Sequence, residues 1–560
     1  MRLPRRPALT RLPLREPWAV LVPLVLAQWI ALAVLVASIR HNAWLFYQGG
    51  DQTFFYTSSW TIAGGHIPEA AIGYAWPYLL SPVALVSGAN YLAALPVLVL
   101  LQAAVLLPVA LYCVYAIGAR IGGRLLGYVV AAAWVTVPFA AIPLWDGRYH
   151  GKYVEQFLPQ ALGLTGLGDF PSMVCLLVAA LFCLRALDTA DPVDGVLAGL
   201  AAGFAVGIKP ANALFLAGPL LAFAAARRLR EGVAFVLALA PAVLALALWK
   251  YRGLGNLPVL TPSPHAAALG NGFVSPPSGV VAGRYLDLDW SRLRDNYVQL
   301  RDVFWGVPIL QSLPILGFIA VARSAWPKAL LLGGWLAAFI LVKGTSDVAN
   351  VESGTLLRLF MPGFPPLLLL AALVPLLLPV FRRRPAQKDA TPIGRRTTAA
   401  ALAVFGVLPL LLFMVLSPLH DDTAVKYFDE SVIVPVDESF PIQVRRMGRQ
   451  AVLSWQPPAS AGDAVFFRVF RSRPVVSAPD PTLPPGHDGI RCAERKPSGW
   501  TRAADCSLEM SVVGTTRSTR FADAVSAGPW VYRVGLAANW RDDPSGGDVM
   551  LLSDAARLGG

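Results

Sequence analysis

The chain has 560 residues, of which 56% are hydrophobic and only 14% are charged. Soluble domains carry about 25% charged residues, so this composition excludes an ordinary soluble protein, and the repeated apolar runs are typical of membrane-spanning helices. The basic residues behind the formal net charge of +13 lie in short clusters between these runs. Because cytoplasmic loops of membrane proteins are enriched in Lys and Arg, the charge indicates orientation and argues against a nucleic-acid partner.

The N-terminal segment MRLPRRPALTRLPLREPW is basic and precedes a long apolar run. A cleaved signal peptide is the alternative, but its apolar stretch would be shorter, and no small-x-small cleavage site precedes Arg40. We therefore expect an uncleaved first span with a cytoplasmic N-terminus.

The apolar runs, taken in chain order, predict most of the membrane crossings. Single spans are expected at about residues 18–39, 91–117, 125–145, 170–187, 232–249, 307–322, 329–342, 359–380 and 399–416. The run 73–87 is short and interrupted by prolines, so we expect it to lie at the membrane interface.

The apolar region 195–225 is too long for one straight helix and contains Lys209-Pro210 at its middle. Proline removes a helix hydrogen bond, and a lone charge at mid-bilayer is expensive. Basic clusters flank the region on both sides. We therefore expect two short helices with Lys209 near the outer surface. The total is then about eleven transmembrane helices, within a range of about ten to thirteen. An odd number places the chain after residue 420 outside the cytoplasm.

From residue 421 the composition becomes that of a soluble domain. The segments AVLSWQPP (451–458), AVFFRVFR (464–471) and GPWVYRVGLAAN (528–539) read as strands. They resemble a fibronectin type III domain over about 440–552, with Trp455 as core residue and Tyr532 at the tyrosine corner. The fold class expected is thus a polytopic α-helical membrane domain, residues 1–420, followed by an all-β immunoglobulin/fibronectin-like sandwich, residues 421–560.

Five cysteines divide into two groups. Cys113, Cys175 and Cys183 lie in apolar spans and are expected to be inert. Cys492 and Cys506 lie in a polar insertion of the C-terminal domain, where a disulfide is favoured and a chance pair of free thiols is the alternative. A disulfide needs an oxidising compartment, which agrees with an extracytoplasmic C-terminal domain.

The stretch GGDQTFFY, residues 49–56, follows the first span and carries Asp51 and Tyr56. With Gly64-Gly65 and the Pro-rich run behind it, this stretch resembles the membrane glycosyltransferases of the GT-C fold, which take sugars from polyprenyl-phosphate carriers. The resemblance covers most of residues 18–420 and implies that Asp51 is the general base. A helix N-cap is the alternative role. Gln52 stands where the family often has a second acid, which weakens the case for a paired-acid metal site.

Arg358 begins RLFMPGFPP, which resembles a late helix start in GT-C families whose Arg serves the donor phosphate. The guanidinium fork suits bidentate phosphate binding, whereas an ordinary interfacial Arg is the alternative. The weaker phosphate candidates are Lys209, Arg148, Lys152 and Lys343, any of which could instead snorkel to lipid headgroups.

Further polar residues are candidates for binding substrate. The loop DGRYHGKYVE (146–155) offers Asp146 and His150, and Asp169 resembles an acid that many GT-C enzymes carry, with a helix cap as its alternative. The substrate-binding set is completed by Tyr56, His66 and Glu69. No recognised metal-ligand spacing appears, so no cofactor is predicted with certainty, and a divalent metal bound by His150 with Asp146 or Glu155 is left open.

The function expected is transfer of a sugar from a polyprenyl phosphate to a cell-envelope glycan, lipid or protein acceptor at the outer face of the plasma membrane. No nucleotide-binding motif or nucleophile elbow is present. A transporter or lipid flippase is the main alternative, because the Lys209-Pro210 break is typical of one. A scaffold that displays the sandwich is a third, although it would not need so many spans. The abundance of Ala, Arg, Gly, Pro and Val suggests a bacterial source, with actinobacteria as one candidate group.

Overall fold

The computed structural model describes most of the membrane part and a large share of the C-terminal part of the chain. The described residues are 17–38, 51–68, 70, 72–87, 91–254, 257, 288–346, 349–382, 393–418, 424–427, 432–435, 440–457, 465–472, 489–490, 492–496, 499–501, 510–538 and 549–559. Two sequence predictions fall outside them: the substrate role of Glu69 and the disulfide that involves Cys506.

The membrane part is helical. Its helices are α1 (Trp18–Ser38), α2 (Asp51–Ala63), α3 (Ala75–Ser87), α4 (Tyr91–Leu101), α5 (Leu107–Gly122), α6 (Arg124–Ala140), α7 (Gly147–Lys152), α8 (Leu158–Ala161), α9 (Asp169–Thr189), α10 (Pro192–Ile208), α11 (Ala217–Ala225), α12 (Leu229–Leu254), α13 (Trp290–Val303), α14 (Val307–Gly344), α15 (Thr355–Phe360), α16 (Phe364–Ala372), α17 (Pro379–Arg382), α18 (Arg395–Leu402) and α19 (Leu408–Val415). Single π-helical turns join α4 to α5 and α18 to α19.

By length and composition, seven helices among the described residues could cross a membrane. They are Trp18–Ser38, Ala94–Gly122, Asp169–Thr189, Leu229–Leu254, Val307–Gly344, Thr355–Leu377 and Arg395–Val415. Shorter apolar helices cover Ala75–Ser87, Arg124–Ala140, Pro192–Ile208 and Pro210–Ala225. A polytopic, mostly helical protein is therefore confirmed, whereas the exact number of eleven crossings stays a prediction.

Helix α14 contains two of the predicted spans. It is interrupted at Ala325, where φ is −156° and ψ is 80°. The two halves then run side by side, since a Cβ on Gly333 would lie 2.6 Å from the ring of Phe318. The segments predicted at 307–322 and 329–342 are these two halves.

The predicted break at Lys209-Pro210 is present. Helix α10 ends at Ile208, Lys209 is extended at φ −137° and ψ 114°, and a 3-10 turn over Pro210–Leu216 leads into α11. The Asn212 side chain donates to the Ala205 carbonyl at 2.8 Å, which satisfies one carbonyl of the last helical turn. The break therefore places the Lys209 side chain at the end of α10 instead of inside a continuous helix.

Two groups of charges mark the ends of α9. Near its C-terminus, Asp188 contacts Lys328 at 2.7 Å and Arg120 at 3.2 Å, and these side chains are at most 10% exposed. Asp169 begins the same helix. At about 1.5 Å per residue the two carboxylates lie roughly 28 Å apart, close to the hydrocarbon thickness of a bilayer. The charges thus lie where two opposite membrane surfaces would be.

The C-terminal part is built from strands. They are β1 (His66–Ile67), which comes from the membrane part, β2 (Ser417–Pro418), β3 (Ala424–Tyr427), β4 (Val432–Pro435), β5 (Ile442–Met447), β6 (Gln450–Trp455), β7 (Val465–Ser472), β8 (Gly489–Ile490), β9 (Cys492–Lys496), β10 (Gly499–Thr501), β11 (Met510–Thr516), β12 (Arg520–Ala524), β13 (Trp530–Ala538), β14 (Val549–Leu552) and β15 (Ala556–Leu558).

Two antiparallel sheets contain most of these strands. One has the order β12-β6-β5 and the other β14-β13-β7-β11-β8, with β15 also paired to β13. Trp455 from the first sheet packs edge-on against Phe467 from the second, with ring centroids 5.3 Å apart. The buried Tyr532 hydroxyl donates to the Asp523 carboxylate at 2.7 Å. This bond differs from that of a tyrosine corner, in which the hydroxyl bonds to the backbone. Burial and the Asp523 carboxylate raise the pKa of Tyr532.

Candidate functional site

The helix that carries Asp51 is held against the loop that precedes α9. Gln52 is fully buried, and its Oε1 accepts a hydrogen bond from the Gly166 N–H at 2.9 Å. The indole of Trp76 donates to the Gly166 carbonyl at 3.0 Å, and Gln102 donates to Thr165 O at 2.7 Å. Three side chains from α2, α3 and the α4–α5 junction therefore clamp this loop, and the clamp places the start of α9 beside the start of α2.

Four charged side chains meet at this place. The Arg358 guanidinium contacts Asp51 through Nη2 and Asp169 through Nε, the second contact at 3.3 Å. Lys209 contacts the other oxygen of Asp169. We call Asp51, Asp169, Lys209 and Arg358 the charged cluster. It brings together the predicted base, two predicted phosphate ligands and one predicted substrate ligand from four separate elements.

The two carboxylates of the charged cluster differ in their access to solvent. The side chain of Asp169 is 1% exposed and is held by two cations, whereas that of Asp51 is 28% exposed. Asp169 therefore acts as an internal counter-ion that orients Lys209 and Arg358. Asp51 is the carboxylate of the cluster that an incoming substrate could reach.

Lys343 adds a further cation. It lies at the end of α14, within electrostatic reach of both Lys209 and Asp169. Three basic side chains then lie near two carboxylates, so the group has one positive charge in excess when Lys343 is protonated. An anionic group at this place would be stabilised by that excess.

The segment that leads into Arg358 is ordered by its own hydrogen bonds. Asn350 O accepts from Leu356 N at 3.1 Å, and Gly354 has φ +80°, a conformation that favours glycine. Lys152 donates to the Glu352 carbonyl. Lys152 therefore supports the turn before α15 and does not join the charged cluster.

An apolar cavity of about 1020 Å³ is bounded in part by the two helices that carry Arg358 and Lys343. Leu356, Leu357 and Phe360, on the helix that carries Arg358, form part of its wall. A second part is aromatic: the Trp145 ring lies 4.4 Å from Phe304 and 4.9 Å from Tyr153, centroid to centroid. Such a cavity suits a long hydrocarbon chain.

The other predicted site residues lie apart from the charged cluster. Asp146 and Arg148 pair with each other at 3.2 Å on the surface, where Asp146 also caps α7. His150 is exposed on the same helix, and Tyr56 is fully buried in the core. His66 Nδ1 lies 2.9 Å from Ser417 Oγ, which ties the segment after α2 to the segment after α19.

The clamp on the Gly166 loop was not predicted from the sequence. Gln102 lies in a strongly apolar run, and a polar residue in such a run is itself a signal of an internal partner. Trp76 gave no such signal, because an interfacial Trp is common.

Holding a metal ion would require several His, Cys, Asp or Glu side chains at one place. Across the described part of the chain, no three His, Cys, Asp or Glu side chains come together in a way that could hold a metal ion. In the charged cluster both carboxylates are engaged by Arg358, and Asp169 also by Lys209. The cluster as it stands is arranged to receive an anion.

Comparison with known proteins gives matches among solved structures alone: no family model and no curated protein matches the chain. ArnT from Cupriavidus metallidurans bound to undecaprenyl phosphate is 16% identical, covers 63% of this chain and 59% of its own, and has a TM-score of 0.39. The apo oligosaccharyltransferase of Archaeoglobus fulgidus is 14% identical, covers 71% and 56%, and has a TM-score of 0.40. AglB from the same organism, in complex with an inhibitory peptide and a dolichol-phosphate, is 13% identical, covers 71% and 56%, and has a TM-score of 0.38.

The chain spans less than two thirds of the length of each of these proteins. What this protein does has to follow from its own charged cluster and cavity.

Proposed function

We propose that the protein is a membrane glycosyltransferase of the GT-C type. It would transfer a sugar from a polyprenyl-phosphate carrier to a cell-envelope glycan, lipid or protein acceptor on the outer face of the plasma membrane. The observation that carries this proposal is the charged cluster beside an apolar cavity of about 1020 Å³. A lipid phosphate has the same two parts, an anionic head and a long apolar chain.

Asp51 is the proposed general base. The acceptor oxygen forms a bond to the anomeric carbon while the bond from that carbon to the phosphate oxygen breaks. The electron pair leaves with the phosphate, and the acceptor proton passes to the Asp51 carboxylate. A single displacement of this kind inverts the anomeric centre. The exposure of Asp51 supports this role, since Asp169 is shielded from any acceptor.

Arg358, Lys209 and Lys343 are the proposed ligands of the donor phosphate. The phosphate carries one negative charge as a diester and a second one develops as the sugar leaves. Cations that face this growing charge stabilise the transition state more than the bound substrate, which is what accelerates a reaction. A phosphate that competes for Arg358 also releases Asp51, so donor binding would prepare the base.

The transporter alternative rests on the Lys209-Pro210 break, the one feature typical of a transporter. In this structure the break holds Lys209 in contact with Asp169, within the charged cluster. The charges lie at the helix ends, and an apolar cavity adjoins them, an arrangement that favours transfer over translocation.

We also propose a membrane orientation for the protein and a fold for its C-terminal domain. The N-terminus would be cytoplasmic, and residues 421–560 would form an extracytoplasmic fibronectin type III-like sandwich with the Cys492–Cys506 disulfide. The strand order supports the sandwich. Strands β5, β6 and β12 pair in one sheet, and β7, β13 and β14 pair in the other. In fibronectin type III domains the first, second and fifth strands likewise form one sheet, and the third, sixth and seventh belong to the other.

The decisive test compares Asp51→Asn with the native protein in membranes supplied with labelled polyprenyl-phosphate sugars. We expect sugar transfer to fall about 10²–10⁴-fold, the usual effect of losing a general base, while binding of the lipid donor is retained. Asp146→Asn is the matched control, because Asp146 is an exposed carboxylate that pairs locally. Undiminished transfer by Asp51→Asn would remove Asp51 as base. Movement of the labelled lipid across the bilayer without transfer would support a flippase instead.

A further inference from the structure

A second, polar pocket of about 150 Å³ lies along a different face of α13 from the apolar cavity, and Asn296 lines both. The helix is amphipathic: Leu293, Tyr297 and Leu300 face the cavity. Arg292, Asp295, Asn296 and Gln299 follow one another at intervals of three, one and three residues, which puts them on one helical face. They line the pocket together with Asp289 and Asn350.

The pocket presents hydrogen-bonding groups that are not fully used by the protein. Gln299 Oε1 is buried and accepts no hydrogen bond. Asn296 is 5% exposed, and its Nδ2 donates to Gly344 O at 3.0 Å. Buried polar atoms are normally paired, so the unpaired Gln299 Oε1 indicates a ligand or ordered water that donates to it.

The charges of the pocket favour a neutral ligand rich in hydroxyl groups. Asp289 is already occupied, because Ser291 Oγ and Arg292 N both donate to its Oδ1. Asp295 is an exposed carboxylate, and Arg292 supplies donors. With two carboxylates and one guanidinium, the pocket repels anions such as phosphate. A sugar ring, whose hydroxyls both donate and accept, matches carboxylate, amide and guanidinium groups together.

The pocket is connected to the charged cluster. Asn350, on its far wall, accepts a hydrogen bond from Leu356 N at 3.1 Å, and Arg358 follows two residues later. Gly344, which receives the Asn296 bond, is next to Lys343 in the chain. The Asn350 wall of the pocket therefore leads along the chain to Arg358, and the hydrogen bond of Asn296 to Gly344 links the pocket to the residue next to Lys343.

We propose that this polar pocket binds one sugar ring of a substrate. The inference rests on the proposed glycosyl transfer for its biological meaning. The chemistry expected of the ligand is argued from the pocket residues alone. The ring could belong to the acceptor glycan or to the lipid-linked donor, and both sources offer the same hydroxyl chemistry.

Binding of free sugars to the full chain in lipid nanodiscs tests the pocket without any transfer reaction. The probes are the methyl glycosides of mannose, glucose, galactose and arabinose, titrated by saturation-transfer NMR. We expect at least one to bind, and Asp295→Ala to weaken it about tenfold, the effect of one hydrogen bond to a charged group. Asp302→Ala is the matched control, because Asp302 is exposed on the same helix and does not line the pocket.

The result that would overturn the inference is absence of binding by all four glycosides, or equal weakening by the two variants. Binding of Ca²⁺ or Mn²⁺ that depends on Asp295, without sugar binding, would overturn it in favour of a cation site. None of these outcomes touches the Asp51 experiment, so the failure of the pocket and the failure of the transferase proposal are distinguishable.

The source of the ring can be identified by measuring hydrolysis of the lipid-linked sugar in the absence of acceptor, for the native protein and for Asp295→Ala. An Asp295→Ala variant that raises the donor KM about tenfold assigns the pocket to the donor sugar. An unchanged donor KM, together with weakened glycoside binding, assigns it to the acceptor. Either result supports a sugar pocket.

Discussion

Arg358 contacts Asp51 across 307 residues of chain, and the two side chains are equally exposed, at 28%. In the proposed reaction one of them holds the phosphate and the other takes the proton. A phosphate that binds Arg358 would compete with Asp51 for the same guanidinium. We therefore predict that the donor binds first and the acceptor second.

Replacement of Arg358 by Lys tests the phosphate role. Lysine keeps the charge but loses the planar fork that binds two oxygens at once. We expect kcat/KM for the lipid donor to fall about ten- to hundredfold, since each charge-assisted hydrogen bond contributes about 1.5–3 kcal/mol. Arg148→Lys is the control, because Arg148 pairs only with the neighbouring Asp146 among the described residues. Equal kinetics for the two variants would contradict the assignment.

Asp169→Asn tests the internal counter-ion. The substitution keeps the shape but leaves Lys209 and Arg358 with less negative charge, and removing one partner of a buried pair costs about 3–5 kcal/mol. Because these cations are 22% and 28% exposed, solvent screening should bring the loss to the lower end, about 3 kcal/mol. A fall in Tm of the purified protein measures it. An Asp169→Asn protein as stable as the surface variant Asp146→Asn would show that the pair is not a structural one.

Filling the apolar cavity should discriminate between donors by chain length. Ala337 lines the cavity and is exposed to it, so Ala337→Phe adds volume there without crowding the buried core. We expect the KM for a long polyprenyl donor to rise several-fold, while that for a short-chain analogue stays near the native value. Ala224→Phe, at an exposed position of α11 outside the cavity, is the control. A uniform effect on both donors would place the lipid tail elsewhere.

The stability of the C-terminal sheets should decrease in alkali through Tyr532. Burial, followed by the Asp523 carboxylate, raises the pKa of Tyr532. A raised folded-state pKa contributes stability that is complete below the unfolded value of about 10 and declines above it, because the unfolded chain loses the proton first. Calorimetry of the full chain should therefore show a transition that falls in temperature above about pH 10. Tyr532→Phe should remove that pH dependence; a persistent dependence would assign it to another group.

The helices and the C-terminal strands could be predicted because each follows from its own local pattern. The run that became α1 is apolar throughout, those that became α9 and α12 are apolar between charged ends, and the strand around Trp455 alternates with the period of a sheet. The interruption at Lys209-Pro210 was equally local, since proline acts on its own helical turn. The number of membrane crossings could not be predicted from local patterns, because several apolar helices are shorter than a straight span.

The individual candidates of the charged cluster, Asp51, Asp169, Lys209 and Arg358, were all recognisable in the sequence by residue type and position. Their mutual contacts were not, because those depend on a loop that Gln52, Trp76 and Gln102 clamp from three different elements. In the sequence, Arg148 and Lys152 were phosphate-binding candidates equal to Lys209. In the structure Arg148 pairs with Asp146 at the surface, and Lys152 donates to the Glu352 carbonyl.

The sequence by itself determined that this is a helical membrane protein with a β-rich C-terminal part, because hydropathy and periodicity act over neighbouring residues. Only the tertiary structure decided that Arg358 lies between two carboxylates, that its helix borders an apolar cavity, and that α13 lines both this cavity and a polar pocket. The contacts of Arg358 alone join residues 189 and 307 positions apart. They depend on how the helices pack, which no local pattern specifies.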